Sequence, residues 1–107
     1  MTDDPFARLE ATIRERRSAD AGTSYVASLT AKGRPKIAQK LGEEAVETII
    51  AALSGDAAAT TGEAADLIFH LCVLLADMGL SLADVGAELT RREGLSGLAE
   101  KAARSGN

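Results

Sequence analysis

At 107 residues and 46% hydrophobic content, the chain is long enough for one domain with a core of its own. One Tyr, two Phe and no Trp make that core aliphatic, which suits helix-on-helix packing, an all-α fold. A net charge of −4 excludes a global attraction to nucleic acid, so an anionic ligand must be met by local cations or a metal ion.

Residues 3–18 (DDPFARLEATIRERRS) predict a first helix, capped by Asp3 or Asp4, with Pro5 in its first turn and Phe6, Leu9 and Ile13 on one face. Arg14, Arg16 and Arg17 complement its C-terminal dipole or offer a phosphate contact. A break at 19–22 precedes a short second helix, TSYVASLTA, capped by Thr23 or Ser24 and packed through Tyr25, Val26 and Leu29. The turn KGRPK follows. Lys32, Arg34 and Lys36 there stand next to the N-terminus of a long helix, where free backbone N–H groups favour anions.

Two long helices, 36–54 (KIAQKLGEEAVETIIAALS) and 56–78, are expected to fold back on each other about Gly55 and Asp56. On the first, Lys36, Lys40, Glu44 and Glu47 form a polar stripe with Glu43 at its border. On the second, Glu63, Asp66, His70 and Asp77 fall within an arc of about 60° on an otherwise apolar helix. Glu47 and Glu63 are equidistant from Gly55, and so are Glu44 and Asp66. An antiparallel hairpin with a rise of about 1.5 Å per residue therefore sets both pairs at similar heights. Four converging carboxylates repel one another unless a cation sits among them. An all-oxygen set favours Mg²⁺, with Mn²⁺ as a substitute; the alternative is four solvated surface charges. A restart of the second helix at Thr61 would spoil the symmetry. His70 can be a core histidine, a partner of Asp66 or a substrate contact. Cys72, the single cysteine, cannot pair within the chain and reads as a small buried hydrophobe. The run LIFHLCVLLA is too short and too interrupted to span a membrane, and no signal peptide is expected. A soluble cytoplasmic protein without nucleic-acid or membrane partner is expected.

Gly79 ends the second long helix, and Ser81 caps a fifth, 81–93 (SLADVGAELTRRE), with Leu82, Val85 and Leu89 on one face and Arg91 and Arg92 at its end. The tail adds Lys101 and Arg104 and is expected to end in disorder over 105–107.

The strings TSYVASL, KIAQKLGEEAVET, EAADLIFHL and RREGLSGLAEKAAR closely resemble the phosphoribosyl-ATP pyrophosphohydrolases, all-α MazG-like enzymes of histidine biosynthesis. The likeness covers nearly the whole chain, residues 4–104, with no acidic position lost. It implies a MazG-like helical bundle built on an antiparallel hairpin and completed by dimerisation, and resembles the stand-alone form of the enzyme. It also implies Mg²⁺-dependent hydrolysis of phosphoribosyl-ATP, a small-molecule substrate, to phosphoribosyl-AMP and pyrophosphate. By position Glu44, Glu47, Glu63 and Asp66 would hold the metal, with Glu43, Glu44 and Glu47 serving the chemistry. Lys36 and Lys40 are the leading phosphate contacts; Lys32, Arg34, His70 and Arg92 are further substrate candidates. A homodimer agrees with the broad apolar arc of the first long helix. Two rivals remain: a housecleaning (d)NTP pyrophosphatase on the same scaffold, and a non-catalytic helical dimerisation module. A di-iron carboxylate bundle lacks its Glu-x-x-His pairs here.

Overall fold

Helices account for every regular element among the described residues of the computed structural model, 3–94, 101 and 104. Five are defined: α1 (Pro5–Arg16), α2 (Tyr25–Lys32), α3 (Arg34–Ser54), α4 (Ala57–Asp77) and α5 (Leu82–Arg92). The fold is all-α, as the aliphatic composition predicts, and its spine is the antiparallel hairpin of α3 and α4.

The hairpin turns where Gly55 adopts φ +80°, a left-handed conformation that costs glycine little, and Asp56 caps α4 by accepting from the Ala59 amide at 3.0 Å. Helix α4 runs unbroken through Thr61, so the restart does not occur. Thr60 and Thr61 return their hydroxyls to the carbonyls of Asp56 and Ala57 at 2.8 and 2.9 Å, which lets both sit inside a helix. At the other end α3 begins two residues earlier than its sequence pattern indicates. Only Gly33 (φ +97°) separates α2 from α3, and Arg34 and Lys36 lie within the first turn of α3 rather than in a loop.

Asp4 caps α1 and Ser24 caps α2, each through its side chain. Ser81 and Asp84 form a reciprocal capping box on α5. The core joins Ile13 of α1, Val26 and Leu29 of α2, Ile37 of α3, and Cys72 and Val73 of α4; Leu9, Ile68, Phe69 and Leu82 pack around it. Cys72 is buried as expected, and burial raises its thiol to about 11. Asp77 ties three helix ends together. Its carboxylate accepts from Arg17 at 3.2 Å and from Arg34 Nε at 2.8 Å, and Arg34 also donates to its carbonyl at 3.0 Å.

Among the described residues two apolar faces remain open. On α3 Val46, Ile49, Ile50 and Leu53 project outward, and Leu53 is 84% exposed; on α5 Val85 and Leu89 do likewise. Helix α4 as a whole is long and apolar enough to cross a membrane by length and composition. The sequence expectation weighed only its ten-residue apolar run and omitted the alanine-rich turns before it. Within the fold this helix lies along α3 and carries Glu63, Asp66 and His70. The expected disorder at 105–107 falls outside the described residues.

Candidate active site

The polar stripes of α3 and α4 face each other across the hairpin. Equal residue counts from the Gly55 turn bring Glu44 opposite Asp66 and Glu63, and one carboxylate oxygen from each of these three lies within 4.8 Å of the others. Glu47 is within hydrogen-bonding reach of both Glu44 and Glu63 once one of those carboxyls holds a proton. All four predicted ligands are thus brought together, Glu47 and Asp66 on the open side and Glu44 and Glu63 half-buried.

Electrostatics mark the cluster as incomplete. Glu44 Oε2 and Glu63 Oε2 are shut off from solvent, and neither has a hydrogen-bond partner. Unpaired buried carboxylate oxygens are costly. Burial pushes the Glu44 carboxyl up to about 7, aided by contact with Glu47 and by the charges of Asp66 and Glu63. Burial and Glu47 raise Glu63 as well. A divalent cation answers both problems at once, satisfying the orphaned oxygens and offsetting the repulsion; the hard oxygen set suits such an ion. The donors present therefore fit a metal, and among the described residues this is where His, Cys, Asp and Glu side chains converge closely enough to hold one.

The other predicted residues are placed differently. Glu43 accepts from Gln39 at 2.8 Å and from Lys40 at 3.0 Å, and these two partners hold its carboxyl below the ordinary range. Lys40 is raised mainly by Glu43, then by Tyr25 and Glu44, so its ammonium stands beside the cluster. Lys36, on the same face, contributes to the field at Glu43. Lys32 ends α2 exposed. Arg34 is turned onto Asp77, and Arg92 is held by Glu88 at 2.9 Å. His70 points inward and is 5% exposed; Nδ1 lies 2.8 Å from the Asp66 carbonyl oxygen and Nε2 lies 3.1 Å from the Tyr25 hydroxyl. Asp77, which shares the α4 stripe on a helical wheel, sits at the far end of the helix with Arg17 and Arg34. Tyr25 is the neighbour that sequence reasoning took for packing alone. Its position at the start of the short helix before the basic segment gave no sign of an α4 partner.

The apolar cleft of about 340 Å³ between α1 and α4, lined by Phe6, Leu9, Ala65 and Ile68, carries no ionisable group and offers no chemistry of this kind.

The profile of the phosphoribosyl-ATP pyrophosphohydrolase family matches residues 6–93. A phosphoribosyl-ATP pyrophosphatase of Rhizorhabdus wittichii is 72% identical over 97 residues, 91% of this chain and 92% of its own length. Those of Novosphingobium aromaticivorans and Zymomonas mobilis are 66% identical over 100 residues (94% of each chain) and 59% identical over 104 residues (97% of each). The chain belongs to the phosphoribosyl-ATP pyrophosphohydrolase family.

Proposed function

We propose that the protein hydrolyses phosphoribosyl-ATP between its α and β phosphates, giving phosphoribosyl-AMP and pyrophosphate, the second step of cytoplasmic L-histidine biosynthesis. The observation that carries this reading is the convergence of Glu44, Glu63 and Asp66, two of them with orphaned buried oxygens, in a chain of this family. Mg²⁺ is the cation proposed for Glu44, Glu47, Glu63 and Asp66, and when bound it supplies charge neutralisation at the phosphoryl oxygens.

Phosphoanhydride hydrolysis demands positioning and electrostatic stabilisation rather than a covalent intermediate. Glu47, the exposed glutamate of the cluster, orients the attacking water and accepts its proton on a carboxylate oxygen. Lys40 and Lys36 line the same face of α3, and the Lys40 ammonium, now on Glu43, is available to a phosphate oxygen that replaces it. Neither Ser nor Cys has a basic partner suited to nucleophilic catalysis among the described residues, and Cys72 is buried.

The outward Val46, Ile49, Ile50 and Leu53 support a homodimer formed through α3, since exposed apolar stripes of this kind mark association surfaces. Light scattering of the wild type and of Leu53→Asp tests that interface; dimer for the first and monomer for the second is the expected pair.

The functional test is pyrophosphate release from phosphoribosyl-ATP, ATP and dNTPs, with Mg²⁺ and with EDTA. Mg²⁺-dependent release from phosphoribosyl-ATP is expected. Release from dNTPs alone would place the protein in the housecleaning branch, and no release by folded protein would leave a helical binding module.

A further inference from the structure

Tyr25 opens α2 and is half exposed, yet its ring is held on the inner side. It lies against Phe69, with centroids 6.1 Å apart and planes 20° apart, and edge-on to His70 at 5.8 Å. The tautomer of His70 follows from its neighbours. A backbone carbonyl can only accept, so Nδ1, which is 2.8 Å from the Asp66 oxygen, carries the ring proton. In the neutral ring Nε2 is then a lone pair, and the Tyr25 hydroxyl 3.1 Å away must donate to it.

A phenol has a single proton. With that proton committed to His70, the Tyr25 oxygen presents only lone pairs to anything approaching from solvent. It is a neutral acceptor, repelled by phosphate oxygens and matched to an O–H. It stands one histidine and one helical turn from Asp66 of the carboxylate cluster, and within electrostatic range of Lys40. Among the neutral donors of a nucleotide, the hydroxyls of its ribose lie nearest the phosphates.

Resting on the pyrophosphohydrolase reading of the site, we propose that Tyr25 is a specificity-determining substrate contact whose oxygen accepts a hydrogen bond from a ribose hydroxyl. His70 is the positioning residue that fixes the direction of that acceptor relative to Asp66. An enzyme built this way reads a sugar hydroxyl without any charge in the reading group.

The test combines Tyr25→Phe with phosphoribosyl-ATP analogues that each lack one hydroxyl, on the nucleotide ribose or on the added ribosyl group. Wild-type kcat/KM should fall about 3- to 10-fold for one analogue, the range of a single neutral hydrogen bond. Tyr25→Phe should show a KM rise of similar size on the full substrate, and no further loss on that analogue. Its Mn²⁺ affinity should match the wild type, which a general disturbance of the site would not allow. His70→Phe should give a smaller KM rise, and the double variant should be no worse than Tyr25→Phe. Which ribose is read follows from which analogue fails. A wild type indifferent to every missing hydroxyl overturns the proposal even where the variants do not fold. So do strictly additive losses, or a parallel fall in Mn²⁺ affinity. A wild type inactive on phosphoribosyl-ATP itself is a different result and removes the functional reading beneath.

Discussion

Replacing Glu44 with glutamine should stabilise the metal-free protein while removing its response to Mg²⁺. The folded protein raises the Glu44 carboxyl from the ordinary 4.5 to about 7, with burial first and Glu47 second among the causes. A carboxyl whose pKa is raised by folding binds its proton more tightly in the folded state. Stability is therefore greatest below about 4.5, declines as pH rises toward 7, and stays low above it. The full interval would correspond to at most roughly 3 kcal/mol. Glu44 is only half-buried, so solvent screening reduces the recoverable part to about 1–2 kcal/mol. A glutamine side chain has nearly the same shape and carries no charge, so in EDTA at pH 8 the Glu44→Gln variant should melt roughly 5–10 °C above the wild type. At pH 4, where Glu44 holds its proton in the folded and largely in the unfolded chain, the two should converge. Adding Mg²⁺ should raise the wild-type Tm and leave the variant where it was. Thermal unfolding by circular dichroism at two pH values, with and without Mg²⁺, reads all four conditions. A variant less stable than wild type at pH 8 in EDTA, with a parallel pH profile, would refute the claim that the cluster is electrostatically frustrated.

Asp77→Asn breaks the ion pairs to Arg17 and Arg34 and should cost about 1–2 kcal/mol, the exposed Arg34 contributing less than Arg17. Because Arg34 and Arg17 hold the Asp77 carboxyl below 3.8, its contribution is present above that pH and fades as pH falls through the lowered value; acid unfolding curves of wild type and variant should therefore converge at low pH. Pyrophosphate release per folded molecule should survive the change. Ile37→Ala, at a fully buried position, should cost about 3 kcal/mol through the cavity it leaves, read by urea unfolding.

The hairpin was legible because its signals are local. Period-3.6 patterning, an aspartate cap and a glycine able to take positive φ coincide at 55–56, and counting residues from that turn set the register of four carboxylates. Long-range pairings were not legible. A helical wheel records angle but not height, so Asp77 shares the stripe of Asp66 although it lies eleven residues farther along, about 16 Å at 1.5 Å per residue. That distance takes it to Arg17 and Arg34 at the far end of the bundle. Arg34 looked like a phosphate ligand because a basic residue at a helix start carries no mark of its partner 43 residues away. The bond between Tyr25 and His70 spans 45 residues and depends on how α2 leans on α4, which no periodicity encodes.

The proposed activity turns on whether Glu44, Glu47, Glu63 and Asp66 together hold one divalent-cation site that the reaction needs. Mn²⁺ titration followed by electron paramagnetic resonance, on folded wild type and folded Asp66→Asn, decides it. Saturable Mn²⁺ binding to the wild type, displaced by Mg²⁺, is expected, with binding at least roughly tenfold weaker in the variant, the loss of one charged ligand costing at least about 1.4 kcal/mol. Equal binding by the two proteins would show that the four carboxylates do not form that site.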